Sequence, residues 1–398
     1  MTGLARTFYL FTGFHSFLLG LLPIFIPAIL WDKGLTLSEI SYFIALTAVG
    51  FLFALYYWDR LRAKQAWGKL ISFSFIFQSL FVMLLVWDEL SLVVTIGALI
   101  NGAAGCFYWS TQRLLFQAIT EDKNTGNTFG NFQILVVVAL KVGVLAGSYL
   151  LGMEYFIGLL VLSFIVSLLG FNRVNKSLQY FNIKDETIQS TDKYKTDPLQ
   201  QVPAFSLKQI LQFKDTYHSK LIFAVDGLFL FLESYFWVLT IYMLTQENVM
   251  QLGLIIVGLS VLLALIFLVI KKYIDKANVQ YIYRIAVAGY ALSWILRSQF
   301  SEEVEGLLLY VGLLSVAFLS NFFRLAFNKR FYDIAREDQP TRYIICKSYY
   351  SQFMLIAFFS IIALLGLVDA KPLDQLQIIY YFSIPFVFCY FLYGRKKV

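Results

Sequence analysis

Residues 171–209 read FNRVNKSLQYFNIKDETIQSTDKYKTDPLQQVPAFSLKQ and form the one long polar stretch in this chain of 398 residues. The sequence on each side of it is dominated by apolar runs. Continuous apolar runs of about 17–25 residues cross a bilayer as helices. The polar stretch therefore predicts two membrane-embedded halves joined by a loop at residues 172–219. Within that loop, Phe205–Phe213 is either an amphipathic helix on the membrane surface or part of a solvated linker.

Twelve apolar runs flank this loop, six before it and six after it. They cover roughly residues 8–30, 38–57, 69–87, 91–112, 129–151, 153–171, 220–244, 251–270, 280–299, 304–325, 344–368 and 376–393. The predicted fold is an all-α integral membrane protein with twelve transmembrane helices. These helices are expected to form two pseudo-symmetric six-helix bundles, residues 1–171 and 220–398.

The composition excludes whole classes of protein. Hydrophobic residues make up 59% of the chain and charged residues only 14%, whereas a soluble domain is about 25% charged. A soluble enzyme is therefore excluded. The three cysteines are isolated in apolar segments, so neither a disulfide framework nor a metal site is expected. HExxH, GxSxG and Walker motifs are missing from the sequence, so we expect no enzyme activity, no cofactor and no direct use of ATP.

The net charge of +7 is distributed unevenly. With the N-terminus inside, the inner side carries residues 60–69, the central loop, residues 329–342 and the basic tail 395–397. The outer loops hold little beyond Lys33, Arg297 and Lys371. This positive-inside bias predicts that both termini are cytoplasmic in a plasma membrane, most simply a bacterial cytoplasmic membrane. The charge is then an orientation signal, so we expect a lipid bilayer around a monomer and no nucleic-acid partner.

The two halves look like repeats of one unit. The end of the second run, ALYYWDRLRAK, resembles the end of the eighth, LVIKKYIDKAN. The end of the fourth run, WSTQRLLFQAITED, resembles the end of the tenth, SNFFRLAFNKRFYDIARED, and places Arg113 and Arg324 at equivalent positions. Internal symmetry of this kind marks many secondary transporters, with the substrate site near the midplane between the repeats.

The loop after the second run carries the most specific motif. Residues 55–64 read LYYWDRLRAK, in which Asp59, Arg60 and Lys64 match the pattern G-x-x-x-D-R-x-G-R-[RK]. The two glycines and the second arginine of that pattern are replaced. With twelve helices in six plus six, the chain resembles the major facilitator superfamily. The resemblance implies alternating access, a cavity lined by helices 1, 4, 7 and 10, and a gating role for Asp59 and Arg60, but no particular substrate.

Two carboxylates occur in the seventh predicted helix. Asp226 and Glu233 are seven residues apart, which brings them to one face about 10 Å apart along the axis, and Trp237 continues that stripe. Charge within a bilayer costs at least about 2.5–3.5 kcal/mol, so retained charges are functional candidates. Such carboxylates can carry protons as their exposure to water alternates. The competing interpretation is a structural pair with a cation, for Asp226 a loop lysine.

Three cations are candidates for binding an anion. Lys141 lies near the middle of the fifth predicted helix, where it either binds the substrate or pairs with Glu233 across the two halves. Arg113 and Arg324 lie late in the fourth and tenth helices, where they either clamp an anion or close an inner gate. Lys347 is a weaker candidate, since a lysine near a helix end can snorkel to the interface.

Uncharged and weakly ionising side chains complete the prediction. His15 is the one histidine in a predicted span, and it is either a proton relay or a core histidine bonded to a neighbour. The remaining candidates share a predicted cavity face, and they are Asn101, Tyr108 and Gln112 on the fourth helix and Asn321 one turn from Arg324.

These observations favour a secondary active transporter that moves a small organic solute by alternating access. An excess of cations in the predicted cavity favours an anionic or zwitterionic solute, and the carboxylates favour coupling to protons over another ion. An efflux pump for amphipathic compounds and a lipid flippase are the alternatives that remain open.

Overall fold

The computed structural model describes residues 3–86, 89–119, 125–184, 202–274, 279–337, 339–366 and 371–395. These residues form twelve long helices. They are α1 (Gly3–Asp32), α2 (Leu37–Ala63), α3 (Trp67–Val86), α4 (Leu90–Ile119), α5 (Thr125–Gly152), α6 (Phe156–Lys184), α7 (Ser219–Leu244), α8 (Val249–Ile274), α9 (Val279–Arg297), α10 (Gly306–Glu337), α11 (Pro340–Leu365) and α12 (Pro372–Leu392). Six helices precede the polar loop and six follow it, as the apolar runs predict.

Eleven of the helices are long and apolar enough to cross a membrane. The remaining one, α9, carries Arg284 and Arg297 among its 19 residues. Several helices extend past their apolar runs, and α6 continues to Lys184, beyond the predicted end of the first bundle at residue 171. A helix can continue into water once its apolar part is anchored, so hydropathy alone underestimates helix length at this end of the protein.

Close helix contacts within the first half depend on glycine. A Cβ atom on Gly20 of α1 would collide with the backbone oxygen of Leu140 on α5, and one on Gly143 of α5 would collide with the backbone oxygen of Phe17. Gly50 of α2 stands in the same relation to α4. Because lipid provides no hydrophobic drive between helices, such small residues let backbones approach and gain van der Waals contact.

The second half repeats this packing. α7 packs on α11 as α1 packs on α5, and Gly227 of α7 lies directly against Ser351 of α11. Between the halves, α2 packs on α11 and α5 packs on α8. These two contacts are equivalent under exchange of the halves, in agreement with the predicted pseudo-symmetry.

Large apolar side chains cover the outside of the bundle. Exposed examples occur on α3, α6, α9 and α12, including Met83, Phe164, Ile295 and Phe382. An apolar surface of this extent requires a lipid solvent. It agrees with the resemblance, which assigns these four helices to the lipid face.

The structure describes residues 202–219 of the central loop. A short helix, Leu207–Leu211, begins at Ser206, whose side chain caps the backbone N–H of Gln209 while the Gln209 side chain caps the Ser206 N–H. Ile210 and Phe213 are buried, whereas Leu207 is exposed. The segment is therefore helical only over Leu207–Leu211, and Phe213 packs on Tyr343 of α11 with ring centres 6.0 Å apart. Residues 185–201 of the predicted linker lie outside the described part.

Candidate functional site

Five charged side chains come together inside the second half. We call them the charged cluster, and they are Asp226 and Glu233 of α7, Arg297 of α9, Arg324 of α10 and Lys347 of α11. Four helices therefore contribute to one polar centre. The sequence predicted three of its members as site residues and ranked Lys347 lower.

Asp226 is completely buried. Its Oδ1 accepts hydrogen bonds from Arg324 Nη1 at 2.5 Å and from the Tyr390 hydroxyl at 3.2 Å. Its Oδ2 lies 2.8 Å from Nζ of Lys347. The partners are thus on α10, α11 and α12, and the alternative of a loop lysine is wrong.

Glu233 lies in a π-helical turn, Leu232–Phe236, that interrupts α7. Its Oε2 accepts from Nε and Nη2 of Arg324 at 3.1 and 2.9 Å, and its Oε1 lies 3.6 Å from Nη2 of Arg297. A π-helical turn inserts one residue into a helix and is frequent at functional sites. The heptad spacing correctly placed both carboxylates on one face, where the Arg324 fork bridges them.

Arg297 corrects an assignment made from the sequence, which placed it in an outer loop. It ends α9 and is only 2% exposed. Its guanidinium donates to Ser293 and Ser320 at 2.9 Å each and lies 4.4 Å from the ring centre of Trp294. Long side chains in a helix lean toward its N-terminus, so an arginine at the C-terminal end reaches back into the membrane.

Lys347 also differs from its predicted behaviour. It is 5% exposed and does not snorkel to the interface. Its Nζ pairs with Asp226 and lies 4.5 and 5.1 Å from the ring centres of Phe331 and Phe327. A buried carboxylate and two aromatic faces together hold this ammonium group inside the protein.

The charged cluster is not electrically balanced by its own members. It holds the cations Arg297, Arg324 and Lys347 against the carboxylates Asp226 and Glu233. The side chains of Arg324 and Glu233 each keep 17% exposure, whereas that of Asp226 has none. The Arg324–Glu233 pair is therefore the accessible edge of the cluster.

The two halves meet near this edge. Arg113 of α4 is close enough to Asp226 and Lys347 to interact with both electrostatically. About three helical turns away on the same α4, Asn101 donates to the Tyr235 hydroxyl of α7 at 3.0 Å and contacts Thr47 at 3.5 Å. Arg113 and Asn101 thus belong to a polar seam between the halves, and their predicted role in the cavity stays a prediction.

The other α4 candidates lie in the core of the first half. Tyr108 and Gln112 are both buried. Tyr108 stacks on the imidazole of His15 with ring centres 4.5 Å apart, and Phe75 stacks on it at 4.2 Å. The His15 Nε2 bonds to Ser74 Oγ at 3.0 Å. The structure therefore favours the core interpretation of His15 over the proton relay.

The remaining predicted residues lie apart from the cluster centre. Asn321 is exposed and donates to the backbone oxygen of Ala317 at 2.8 Å. Trp237 is buried and faces the Arg297 guanidinium at 5.1 Å, so it borders the cluster as the α7 stripe predicted.

The predicted Lys141–Glu233 salt bridge is wrong. α5, which carries Lys141, packs against α1 and α8, while Glu233 is bound by Arg324 and Arg297 from α10 and α9. Among the described residues Lys141 has no carboxylate within ion-pair distance. Its role in binding a substrate anion stays a prediction.

The loop motif divides into two parts. Asp59 is buried and binds Nε of Arg62 at 2.7 Å and the backbone N–H of Phe205 at 2.6 Å. Arg62 in turn donates to the backbone oxygens of Val202 and Pro203. Asp59 therefore fastens the central loop to the end of α2, whereas Arg60 points elsewhere and lies over the Tyr56 ring at 3.7 Å.

At the opposite end of the bundle, two hydrogen bonds that the sequence did not suggest join α1 to α7 and to the turn that follows α7. Trp31 Nε1 donates to Glu247 Oε1 at 2.8 Å, and the Tyr242 hydroxyl donates to Asp32 Oδ1 at 2.7 Å. Each bond links the first half to the second at this end. Within the described ranges, no group of three or more metal-ligating side chains could hold a metal ion.

Comparison with known proteins decides the family. The model of the Major Facilitator Superfamily matches residues 8–345. The chain belongs to the major facilitator superfamily. As a member of this superfamily it is a membrane transporter of a small solute and not an enzyme, which confirms those predictions and the predicted fold.

Solved structures support the same fold. The chain is similar to two crystal structures of the nucleoside transporter NupG, one of them of a single-residue mutant. Each similarity covers 97% of this chain and 98% of the NupG chain. Their TM-scores are 0.61 and 0.60, at 12% and 13% identity. At that identity the likeness concerns the fold alone. A search of curated proteins finds no significant match.

Proposed function

We propose that the protein couples the movement of a small anionic or zwitterionic organic solute to protons, with the Glu233–Arg324 pair as the coupling site. The observation that carries this proposal is the double hydrogen bond from Arg324 to Glu233 at the accessible edge of a buried cluster. The carboxylate of Glu233 can bind the proton there, and the guanidinium of Arg324 can bind an anionic solute.

The charge of the cluster supports an anionic solute group. Three cations face two carboxylates, and Arg113 adds positive potential from the first half. Unbalanced charge in a membrane interior is costly. A carboxylate or phosphate on the solute would supply the missing negative charge, and a guanidinium matches either group with two parallel hydrogen bonds.

The geometry also supplies a way to couple the proton to the solute. Glu233 occupies Nε and Nη2 of Arg324, the edge of the fork that an incoming carboxylate would use. Protonating Glu233 removes its charge and frees that edge, while Asp226 keeps Nη1 and holds the arginine in place. Proton and anionic solute are therefore bound in the same state, which is the requirement for symport.

The distribution of basic residues also supports an orientation of the protein in its membrane. We place both termini on the cytoplasmic side of a bacterial cytoplasmic membrane, because the basic loops lie at the same end of the bundle as the termini. The two bundles, residues 1–171 and 220–398, are proposed to rock about the charged cluster as a monomer, with residues 172–219 as their linker.

The test starts from binding, because the solute is not yet identified. Thermal unfolding of the purified protein is measured with small carboxylates, phosphorylated solutes and amino acids. Nucleosides, suggested by the similarity to NupG, are tested as uncharged solutes. We expect stabilisation by an anionic or zwitterionic solute, stronger at lower pH. In Glu233→Gln, which mimics the protonated side chain, binding should persist and lose its pH dependence.

Transport in proteoliposomes then tests the coupling. Wild-type protein should accumulate the bound solute when a pH gradient is imposed, and Glu233→Gln should exchange the solute without accumulating it. Glu302→Gln, which neutralises an exposed carboxylate that pairs with Lys371, is the matched control and should accumulate it normally. Accumulation by Glu233→Gln equal to wild type would reject the coupling site, and stabilisation by nucleosides alone would reject the anionic solute.

A further inference from the structure

A groove on the outer surface of the first half is not used by the proposed transport mechanism. It lies between α2, α3 and α4 and has a volume of about 610 Å³. Its wall is apolar and partly built from small residues, and it includes Gly50, Ala54, Phe73, Phe77, Ala103 and Phe107. The lining side chains Phe53 and Tyr57 are 68% and 61% exposed. The groove therefore opens to the outside of the bundle, where it faces the hydrocarbon of the bilayer.

One end of the groove is basic. Arg60 and Lys64 line it, and both are exposed. The groove runs along α2 from Gly50, in the middle of the helix, to Lys64 just past its end at Ala63. Fourteen helical residues rise about 21 Å, which is close to one leaflet with its headgroup region. The apolar wall of the groove therefore lies at the depth of a phospholipid acyl chain, and its basic end lies at the depth of the headgroup.

Arg60 and Lys64 have no acidic partner among the residues that the structure describes. Asp59, which lies next to Arg60 in the chain, is taken by Arg62 and the central loop. Neither Arg60 nor Lys64 forms an ion pair with any residue in the described ranges. The Arg60 guanidinium instead lies 3.7 Å above the Tyr56 ring, which holds it on the lipid side of α2 and leaves its edge free to donate.

We infer that this groove binds one anionic phospholipid from the leaflet on the side of the termini, with its phosphate on Arg60 and Lys64 and one acyl chain along α2 and α4. Basic pockets between transmembrane helices bind anionic headgroups by charge and hydrogen bonding, and arginine grips a phosphate with two donors. The groove also binds the acyl chain of the lipid, which an isolated surface lysine cannot do.

Native mass spectrometry tests the inference on the full-length protein in detergent. The protein is incubated with equal amounts of phosphatidylglycerol and phosphatidylethanolamine that carry identical acyl chains. We expect the wild type to retain one phosphatidylglycerol in preference to phosphatidylethanolamine. Arg60→Gln/Lys64→Gln should bind it roughly 25-fold more weakly, since each basic residue contributes about fivefold near an anionic surface.

Two further variants separate the groove from general surface charge. Lys69→Gln/Lys176→Gln removes the same charge from exposed positions at the same end that do not line the groove, and it should retain the lipid as the wild type does. Ala54→Leu narrows the groove without changing charge and should weaken retention of the lipid. Glycerol phosphate, a headgroup without chains, should not compete at equal concentration.

Several results would overturn the site. One is equal retention of both lipids by the wild type, which would remove the preference for an anionic headgroup. Another is an equal loss in the Lys69→Gln/Lys176→Gln control, which would reduce the effect to net charge. Unchanged retention in Ala54→Leu, or displacement by glycerol phosphate, would show that no acyl chain occupies the groove.

Discussion

Arg324 of α10 holds Glu233 of α7 with two nitrogens while its third nitrogen holds Asp226 of the same helix. One guanidinium thereby fixes α7 to α10 at two levels. A lysine carries a single ammonium group and cannot reach both carboxylates with matched geometry. The bridge therefore depends on arginine and not merely on a positive charge.

Replacing Arg324 with lysine tests this dependence. We expect the initial rate of solute uptake in proteoliposomes to fall roughly tenfold to a hundredfold, the effect of losing hydrogen bonds to charged groups worth about 1.5–3 kcal/mol. Arg284→Lys, the same exchange at an exposed position of α9, should leave uptake unchanged. Wild-type uptake by Arg324→Lys would mean that charge alone suffices.

Asp226 should be required for folding more than for solute binding. Asp226→Asn leaves Lys347 and one side of Arg324 buried without their counter-charge. Removing one partner of a buried pair costs about 3–5 kcal/mol, so the thermal unfolding midpoint should fall markedly. The exposed Asp374→Asn is the control and should unfold like the wild type.

A double variant separates lost charge from lost packing at this position. Asp226→Asn/Lys347→Met removes both members of one pair and keeps the volume of the lysine stem. Its unfolding midpoint should lie above that of Asp226→Asn alone, because no ammonium is left stranded. If the double variant is no more stable than the single one, the Asp226–Lys347 pair does not carry the effect.

The sequence predicts where the helices lie better than it predicts which charged side chains form ion pairs. Apolar run lengths located all twelve helices, and a spacing of seven placed Asp226 and Glu233 on one face. The partners of those carboxylates come from helices about 100 residues away, and nothing in local periodicity selects among Arg324, Lys347 and Lys141. Packing decides this, since α5 lies against α1 and α8 while α9 and α10 border α7.

Side-chain direction explains the other errors. Arg297 was assigned to a loop because it stands at the end of an apolar run, yet its side chain reaches back by a turn to Ser293. The general lean of helical side chains toward the N-terminus could have indicated this. Lys347 lies near the start of α11, where snorkelling outward is equally possible from the sequence, and only Asp226 opposite it decides otherwise.

The contact between Tyr242 and Asp32 should control opening at the end of the bundle opposite the termini. Tyr242→Phe removes one of the two hydrogen bonds that join α1 to α7 and its following turn there. We expect the open state to gain about 1 kcal/mol, or roughly fivefold in population. Pulsed electron paramagnetic resonance between spin labels at Lys33 and Met250, on opposite halves, should show a larger fraction of molecules with a long label-to-label distance.

The matched control for this opening is Tyr281→Phe, which removes a hydroxyl from an exposed side chain of α9 far from the contact. It should give the wild-type distance distribution. A distribution in Tyr242→Phe that is indistinguishable from this control would show that the Tyr242–Asp32 bond does not hold the halves together.

Asp59 should keep the central loop attached to α2. Its carboxylate accepts from the Phe205 N–H and orients Arg62 toward the carbonyls of Val202 and Pro203. Asp59→Asn removes the charge that both contacts require. Hydrogen bonds to charged groups are worth about 1.5–3 kcal/mol, so the loop should open roughly tenfold to a hundredfold more often and tryptic cleavage after the exposed Lys208 should accelerate accordingly.

Cleavage after Lys208 is followed by mass spectrometry of the released peptides, which distinguishes it from cuts elsewhere in the loop. Arg60→Gln is the neighbouring control, because Arg60 faces the lipid side and makes no described contact with the loop. It should be cleaved at the wild-type rate. Equal rates for Asp59→Asn and Arg60→Gln would mean that the loop is held by Arg342, which donates to the backbone oxygen of Gln209, and not by Asp59.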